Sequence, residues 1–137
     1  MLAALGAAPR SHLDPDLLAI LDDIRTRLAR VCRAPEGSLA LAVSGTGTAG
    51  VETLAANLVE PGRRALVVVG GYFGERLATI LARYGADVDR LQIEWGRAVD
   101  PSDVAKALSS QRADVVAMVH AETSTGVRHP VAEVARL

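Results

Sequence analysis

Apolar residues recur at Leu17, Leu21, Ile24, Leu28 and Val31, in steps of four and three. That spacing lays one stripe along a helix. Asp14 stands as its N-cap and Pro15 as its first helical residue, and Pro35, Glu36 and Gly37 end it. The pattern then changes. Leu39 to Val43, "LALAV", predicts a short buried strand. "GTAGVETLAANLVE" reads as a helix closed by the turn Pro61-Gly62. "ALVVVG" is continuous and β-branched, as in a parallel strand covered on both faces. A helix from about Phe73 to Tyr84 carries Phe73, Leu77, Ile80, Leu81 and Tyr84 on one side and stops at Gly85. "VDRLQI" is a weaker strand. Asp100-Pro101-Ser102-Asp103 opens another helix, and Asp114 to His120, "DVVAMVH", is a strand. After a polar loop, "PVAEVARL" begins a last helix, and the pattern stops at Leu137 before that helix is finished, which reads as a fragment.

Strands alternating with helices predict an α/β fold with a mostly parallel sheet and flanking helices. The organisation read from this order is an N-terminal helical segment, 1–37, followed by an alternating strand/helix region, 38–137. In such sheets ligands bind outside the carboxyl ends of the strands. Three predicted strands end in glycine-rich or polar loops: Ser44 to Thr48, Gly70 to Gly74, and His120 to Gly126. Parallel strands would bring all three loops to one edge.

Composition narrows the field. Half of the 137 residues are apolar, but Tyr72, Phe73, Tyr84 and Trp95 are the only aromatics, so the core must be built from Val, Leu, Ile and Ala. The formal net charge of -1, with acids and bases interspersed, argues against a nucleic-acid or membrane footprint. Cys32 is the one cysteine, which leaves no internal disulfide and no cysteine-rich metal site. No apolar stretch reaches the roughly 20 residues of a membrane span, and "MLAALGAAPR" lacks the basic start and long apolar centre of a signal peptide. These features read as a soluble, cytoplasmic protein.

The candidate chemistry lies in the three loops. Gly45, Gly47 and Gly50 spell G-x-G-x-x-G, the fingerprint of a dinucleotide site. That site needs an acid about 20 residues later, at the end of the second strand, for the ribose hydroxyls. Here that strand ends in Val69-Gly70-Gly71. The alternative P-loop motif needs a lysine after the glycines, and none follows. A single phosphate on a smaller cofactor fits better, held by backbone N–H groups at a helix start and by the hydroxyls of Thr46 and Thr48. Phe73 lies on the apolar stripe of its helix, and periodicity alone reads it as core; a surface against a flat ring is the other reading. Thr123, Ser124 and Thr125 are hydroxyl donors or loop-satisfying residues. His120 and Glu122 are lone acid-base candidates. His12 and His129 lack metal-ligand spacing, and Trp95 reads as a loop anchor.

"SGTGTAGVETLAANLVEPG", "GGYFGERLATILARYGADV", "EWGRAVDP" and "VHAETSTGV", in this order and spacing, together with "HLDPDLLAILDDI", resemble the class V aminotransferases, in particular the alanine/serine–glyoxylate group. The resemblance covers nearly the whole chain. It implies the large domain of a pyridoxal 5'-phosphate enzyme, a homodimer that moves an amino group from alanine or serine to glyoxylate or a similar 2-oxo acid. Ureidoglycine–glyoxylate transamination, a desulfurase or lyase on the same fold, and a non-catalytic nucleotide-binding module are the alternatives. The resemblance assigns the cofactor phosphate to Thr46, Gly47 and Thr48, ring stacking to Phe73, and a hydrogen bond near the ring's phenolic oxygen to Thr123. Gly47 is then the main phosphate contact and Gly50 a helix-packing residue.

The family also needs a Schiff-base lysine, an aspartate on the pyridinium nitrogen and an arginine for the substrate carboxylate. In relatives all three lie beyond the point matching Leu137, and a further segment precedes the part matching "MLAAL". The chain therefore reads as an incomplete large domain with no catalytic residue and no metal ligand of its own. Lys106 is its only lysine. It points away from Val104 and Leu108 on their helix, which predicts a solvated side chain and no catalytic role.

Overall fold

The computed structural model describes residues 6–137. The chain divides between Ser44 and Gly45 into two compact units.

The first unit holds α1 (Pro15–Val31). The Asp14 carboxylate accepts from the N–H of Asp16 at 2.9 Å, and Pro15 follows it, as the sequence predicts. The helix stops earlier than Pro35. Arg33 turns left-handed at φ 50°, and the N–H of Ala34 reaches back to the carbonyl of Ala29 at 2.9 Å. That is a Schellman ending with arginine where glycine is usual. The apolar stripe is present, but α1 has no buried residue.

Residues 39–43 are a correction. They form no strand, and Leu41 is 58 % exposed. An extended apolar segment becomes a strand only when a neighbour takes its backbone hydrogen bonds, and none of the described strands pairs with it.

The second unit runs α2 (Gly47–Leu58), β1 (Arg64–Val69), α3 (Tyr72–Arg83), β2 (Asp87–Gln92), α4 (Pro101–Ser110), β3 (Val115–Ala117), β4 (Ala121–Glu122), β5 (Val127–Arg128) and α5 (Val131–Val134). β1, β2 and β3 form a parallel sheet in the order β2-β1-β3. Ala65 pairs with Val88 on one side and with Val115 on the other.

β1 is central and buried from Ala65 to Val69. Its side chains alternate between two layers. Ala65, Val67 and Val69 pack with Ala55, Val59, Ala78, Ile80 and Leu81, from α2, its end and α3. Leu66 and Val68 pack with Val99, Val104 and Val134 on the other face. Both layers are built from Val, Leu, Ile and Ala, as the scarcity of aromatics requires. This is the predicted α/β sheet with helices on both sides.

Three further expectations are corrected. β3 is three residues long rather than the full "DVVAMVH", because only Val115 to Ala117 find partners on β1. The polar loop after it is a small antiparallel hairpin, with Ala121 opposite Arg128 and Glu122 opposite Val127. The last helix is a single turn, Val131–Val134.

Candidate functional site

β1 leads through α3 to β2 on one side, and β2 leads through α4 to β3 on the other side of β1. The strand order therefore reverses between β1 and β3. In a parallel sheet that reversal opens a crevice at the carboxyl ends of the strands. A cavity of about 510 Å³ lies there, walled by the start of α2, one side of α3 and the segment that follows β3.

Four of the five predicted site residues line this one cavity: Gly47, Thr48, Phe73 and Thr123. Gly47 and Thr48 are the first two residues of α2, so their N–H groups have no partner within the helix. Thr46 is the N-cap residue, is exposed, makes no capping bond through its side chain and is not on the cavity wall. A Cβ added at Gly47 would meet nothing within 4 Å, so the wall is open there. Gly50 is equally open, which overturns its reading as a helix-packing residue. Gly45 is the glycine that the turn requires: its φ is 155° and a Cβ would stand 2.7 Å from that of Ala49.

Phe73 is 41 % exposed, so its place on the helix stripe does not make it core. Its ring stands edge-on to Tyr72, with centroids 5.4 Å apart. Val51, Leu77, Ile80 and Met118 supply apolar wall, and Arg76 is the one charged side chain on it. A donor-rich helix start at one wall, an aromatic face and a hydroxyl at the others suit a flat ring that bears a phosphate.

A buried carboxylate holds part of this wall in place. Glu122 is 1 % exposed. Its Oε2 accepts from the N–H of Gly74 at 2.9 Å, and its Oε1 from the N–H of Phe73 at 3.4 Å. The hydroxyl of Ser124 donates to Oε1 at 2.5 Å and accepts from the N–H of Tyr72 at 3.0 Å. The start of α3 is thus capped from the hairpin, because Gly71 at its N-cap has no side chain to do so. Burial pushes the Glu122 carboxyl up, but the bonds from Ser124, Gly74 and Phe73 outweigh it and hold the group below the usual range. Glu122 is a helix cap, not a free acid-base group.

On the other side of the same glycine turn lies His129, 2 % exposed. Its Nδ1 accepts from the N–H of Val99 at 3.1 Å, so the neutral ring carries its proton on Nε2. Burial lowers its pKa, against the opposing pull of the Glu122 charge. A Cβ at Gly70 would meet the His129 ring at 3.1 Å, and one at Gly71 would meet Cγ of Glu122 at 2.5 Å. The pair of glycines is there to let these two side chains in. Metal-ligand spacing could not expose the structural role of His129. The signal lay in Val127 and His129, which an alternating pattern sends to one side. For Glu122 the signal was a helix start with glycine at its cap.

The remaining candidates stand apart. His120 is exposed and accepts through its carbonyl from the N–H of His129 at 2.8 Å. Trp95 is 60 % exposed, more open than the loop anchor read from sequence. Lys106 is on the surface, 3.2 Å from Asp103, on α4 and so on the opposite face of the sheet from α2 and α3. Among the described residues no cluster of His, Cys, Asp and Glu could hold a metal, and no helix is long and apolar enough to cross a membrane.

The parallel sheet with helices on both faces is the fold of pyridoxal-phosphate aminotransferases. The solved alanine–glyoxylate aminotransferase from Nostoc sp. superposes with a TM-score of 0.85 at 44 % identity, over 98 % of this chain and 36 % of that one. The pyridoxamine–pyruvate aminotransferase of Mesorhizobium loti shares the fold alone, with a TM-score of 0.85 at 21 % identity over 98 % of this chain and 34 % of that one. The chain belongs to the class V aminotransferases, whose family model matches residues 3–137. Members of that family are pyridoxal-phosphate enzymes. The (S)-ureidoglycine–glyoxylate transaminase of Bacillus subtilis is 36 % identical over 131 residues, which is 96 % of this chain and 31 % of that protein. The chain thus spans about a third of the length of the relatives it matches.

Proposed function

We propose that this chain forms the cofactor-phosphate wall of an aminotransferase that moves an amino group from a small amino acid, alanine or serine, to glyoxylate or a similar 2-oxo acid. One observation carries the reading: Gly47, Thr48, Phe73 and Thr123, far apart in sequence, line a single cavity at the switch point of the sheet. The relatives' names add glyoxylate as the acceptor to test first. Pyridoxal phosphate supplies the carbonyl and the electron sink of amino transfer. The N–H groups of Gly47 and Thr48, with the Thr48 hydroxyl, bind the phosphate at the positive end of the α2 dipole. Thr46, one residue outside the wall, contributes its hydroxyl to the same phosphate. Phe73 lies against the ring, and Thr123 donates a hydrogen bond to its oxygen substituent. Val51, Leu77 and Ile80 keep water from the ring.

These residues bind and orient; they do not carry out the chemistry. Lys106 is solvated and ion-paired, and in this reading the 137 residues are expected not to transaminate by themselves. The working enzyme is a cytoplasmic homodimer in this reading.

Calorimetry of the 137-residue chain with pyridoxal 5'-phosphate, and separately with NAD, tests the cavity assignment. Binding of the first and not the second is expected. Tight NAD binding with none for pyridoxal phosphate would sink it. Amino transfer to glyoxylate from alanine, serine and ureidoglycine, assayed with the polypeptide that joins these residues to a cofactor-linking lysine, decides the donor.

A further inference from the structure

Two walls of the cavity, Phe73 and Thr123, lie fifty residues apart in sequence, and one side chain joins them. Glu122 is the residue immediately before Thr123. Its carboxylate takes the N–H of Phe73 itself and that of Gly74, while Ser124, one residue beyond Thr123, takes the N–H of Tyr72. Three of the N–H groups that open α3 are thus bound by the two residues that flank Thr123. The joint has no slack. The place where a side chain at Gly71 would start is filled by Glu122 and by the Ser124 hydroxyl, 2.5 and 2.7 Å away. Each carboxylate oxygen accepts from a different amide of α3, so neither can be replaced by a donor without setting two donors face to face. The pair is charge-assisted and sits at the positive end of the helix, out of water, where such bonds are strongest.

We propose that Glu122 is a positioning residue: through the first turn of α3 it fixes where the Phe73 ring stands relative to Thr123 across the cavity. The proposal rests on the cavity being the cofactor cavity, and it concerns the ring and not the phosphate. The phosphate wall is α2, and none of the hydrogen bonds of the Glu122 carboxylate goes to it. A general loss of structure would weaken every ligand alike. Loss of this clamp should weaken the ring contacts and spare the phosphate contacts.

The test uses the 137-residue chain with 4-deoxypyridoxine 5'-phosphate, which has the ring and phosphate but no aldehyde to react with Lys106, and with inorganic phosphate as the ring-free probe. Glu122→Gln keeps the volume and removes one acceptor. It is expected to weaken the ring-bearing probe about tenfold, to diminish the probe's induced circular dichroism, and to leave inorganic phosphate binding unchanged. Hydrogen exchange at the amides of Phe73 and Gly74 should speed up about tenfold, with Gly47 and Thr48 unaffected. If that variant fails to fold, Ser124→Ala, which keeps the carboxylate, should give the same pattern at smaller amplitude. Equal losses for both probes, or unchanged exchange at Phe73 and Gly74, would overturn the proposal. A wild-type chain that binds inorganic phosphate but not the ring-bearing probe would overturn the cavity reading instead, and exchange at Phe73 and Gly74 would then decide the clamp alone.

Discussion

Glycine does three different jobs in this chain, and the sequence writes all three with one letter. Gly45 makes a turn, Gly70 and Gly71 make room for buried side chains, and Gly47 leaves a wall bare. Substitution separates them. Gly71→Ala drives a methyl group into Glu122 and Ser124, and it should cost about 1–3 kcal/mol of stability by urea unfolding, as overpacking does. Gly47→Ala meets open space, so its stability should stay within about 0.5 kcal/mol of wild type. Its affinity for pyridoxal phosphate should nevertheless fall, because the methyl group stands where the phosphate would approach. An unchanged affinity would remove Gly47 from the proposed phosphate contacts. Periodicity misreads Phe73 as core for a related reason: a helix stripe says which residues share a face, not whether anything covers that face. The exposed position of Lys106 was legible from spacing alone. Borohydride reduction of the chain with pyridoxal phosphate should leave it without a stoichiometric label.

Helices were more legible than strands because their hydrogen bonds are local. Asp14 and Asp100 cap α1 and α4 as the capping chemistry predicts. "LALAV" and "ALVVVG" look alike as apolar runs, yet one has no partner among the described strands and the other is the centre of a sheet. Partnership is a property of the rest of the fold, so no count of apolar residues could separate them. The contrast predicts a measurable difference. Leu81→Ala, in the layer beneath β1, should cost about 2–5 kcal/mol, while Leu41→Ala should cost under about 0.5 kcal/mol. A large loss at Leu41 would mean that this segment is covered after all. The hairpin β4–β5 went unread because its inward residue, Glu122, is a carboxylate. Alternation with a charged residue inside reads as a loop.

For the molecule as a whole, the two buried polar side chains tie stability to pH. Burial keeps the His129 pKa below its usual value near 6.5. The unfolded chain therefore binds a proton at a higher pH than the folded one. Stability from this group is present in full above about 6.5 and is lost as the pH falls below it. Glu122 is the charged group that acts on the ring, and Arg128, His120 and Glu133 line the same surface cleft as His129. Glu122 has the same sign in a lower window: its contribution is complete above about 4.5 and fades below. The urea midpoint should therefore drop between pH 7 and 5.5, and His129→Asn should flatten that drop. A midpoint independent of pH over this range would show that His129 charges freely in the folded chain.

The sequence by itself determined the alternation of elements, the helix starts, the aliphatic composition of both core layers and, through four motifs in series, the family. These are local or additive properties: periodicity, capping, composition and motif order are all written along the chain. Tertiary structure alone decided which apolar run became the central strand, why two adjacent glycines are required and which acid is a cap. It also brought Gly47, Thr48, Phe73 and Thr123 to one cavity and left Thr46 off its wall. Each of those depends on what arrives from distant sequence to accept a hydrogen bond, fill a volume or leave it empty, and that is settled only when the sheet order and the hairpin are in place.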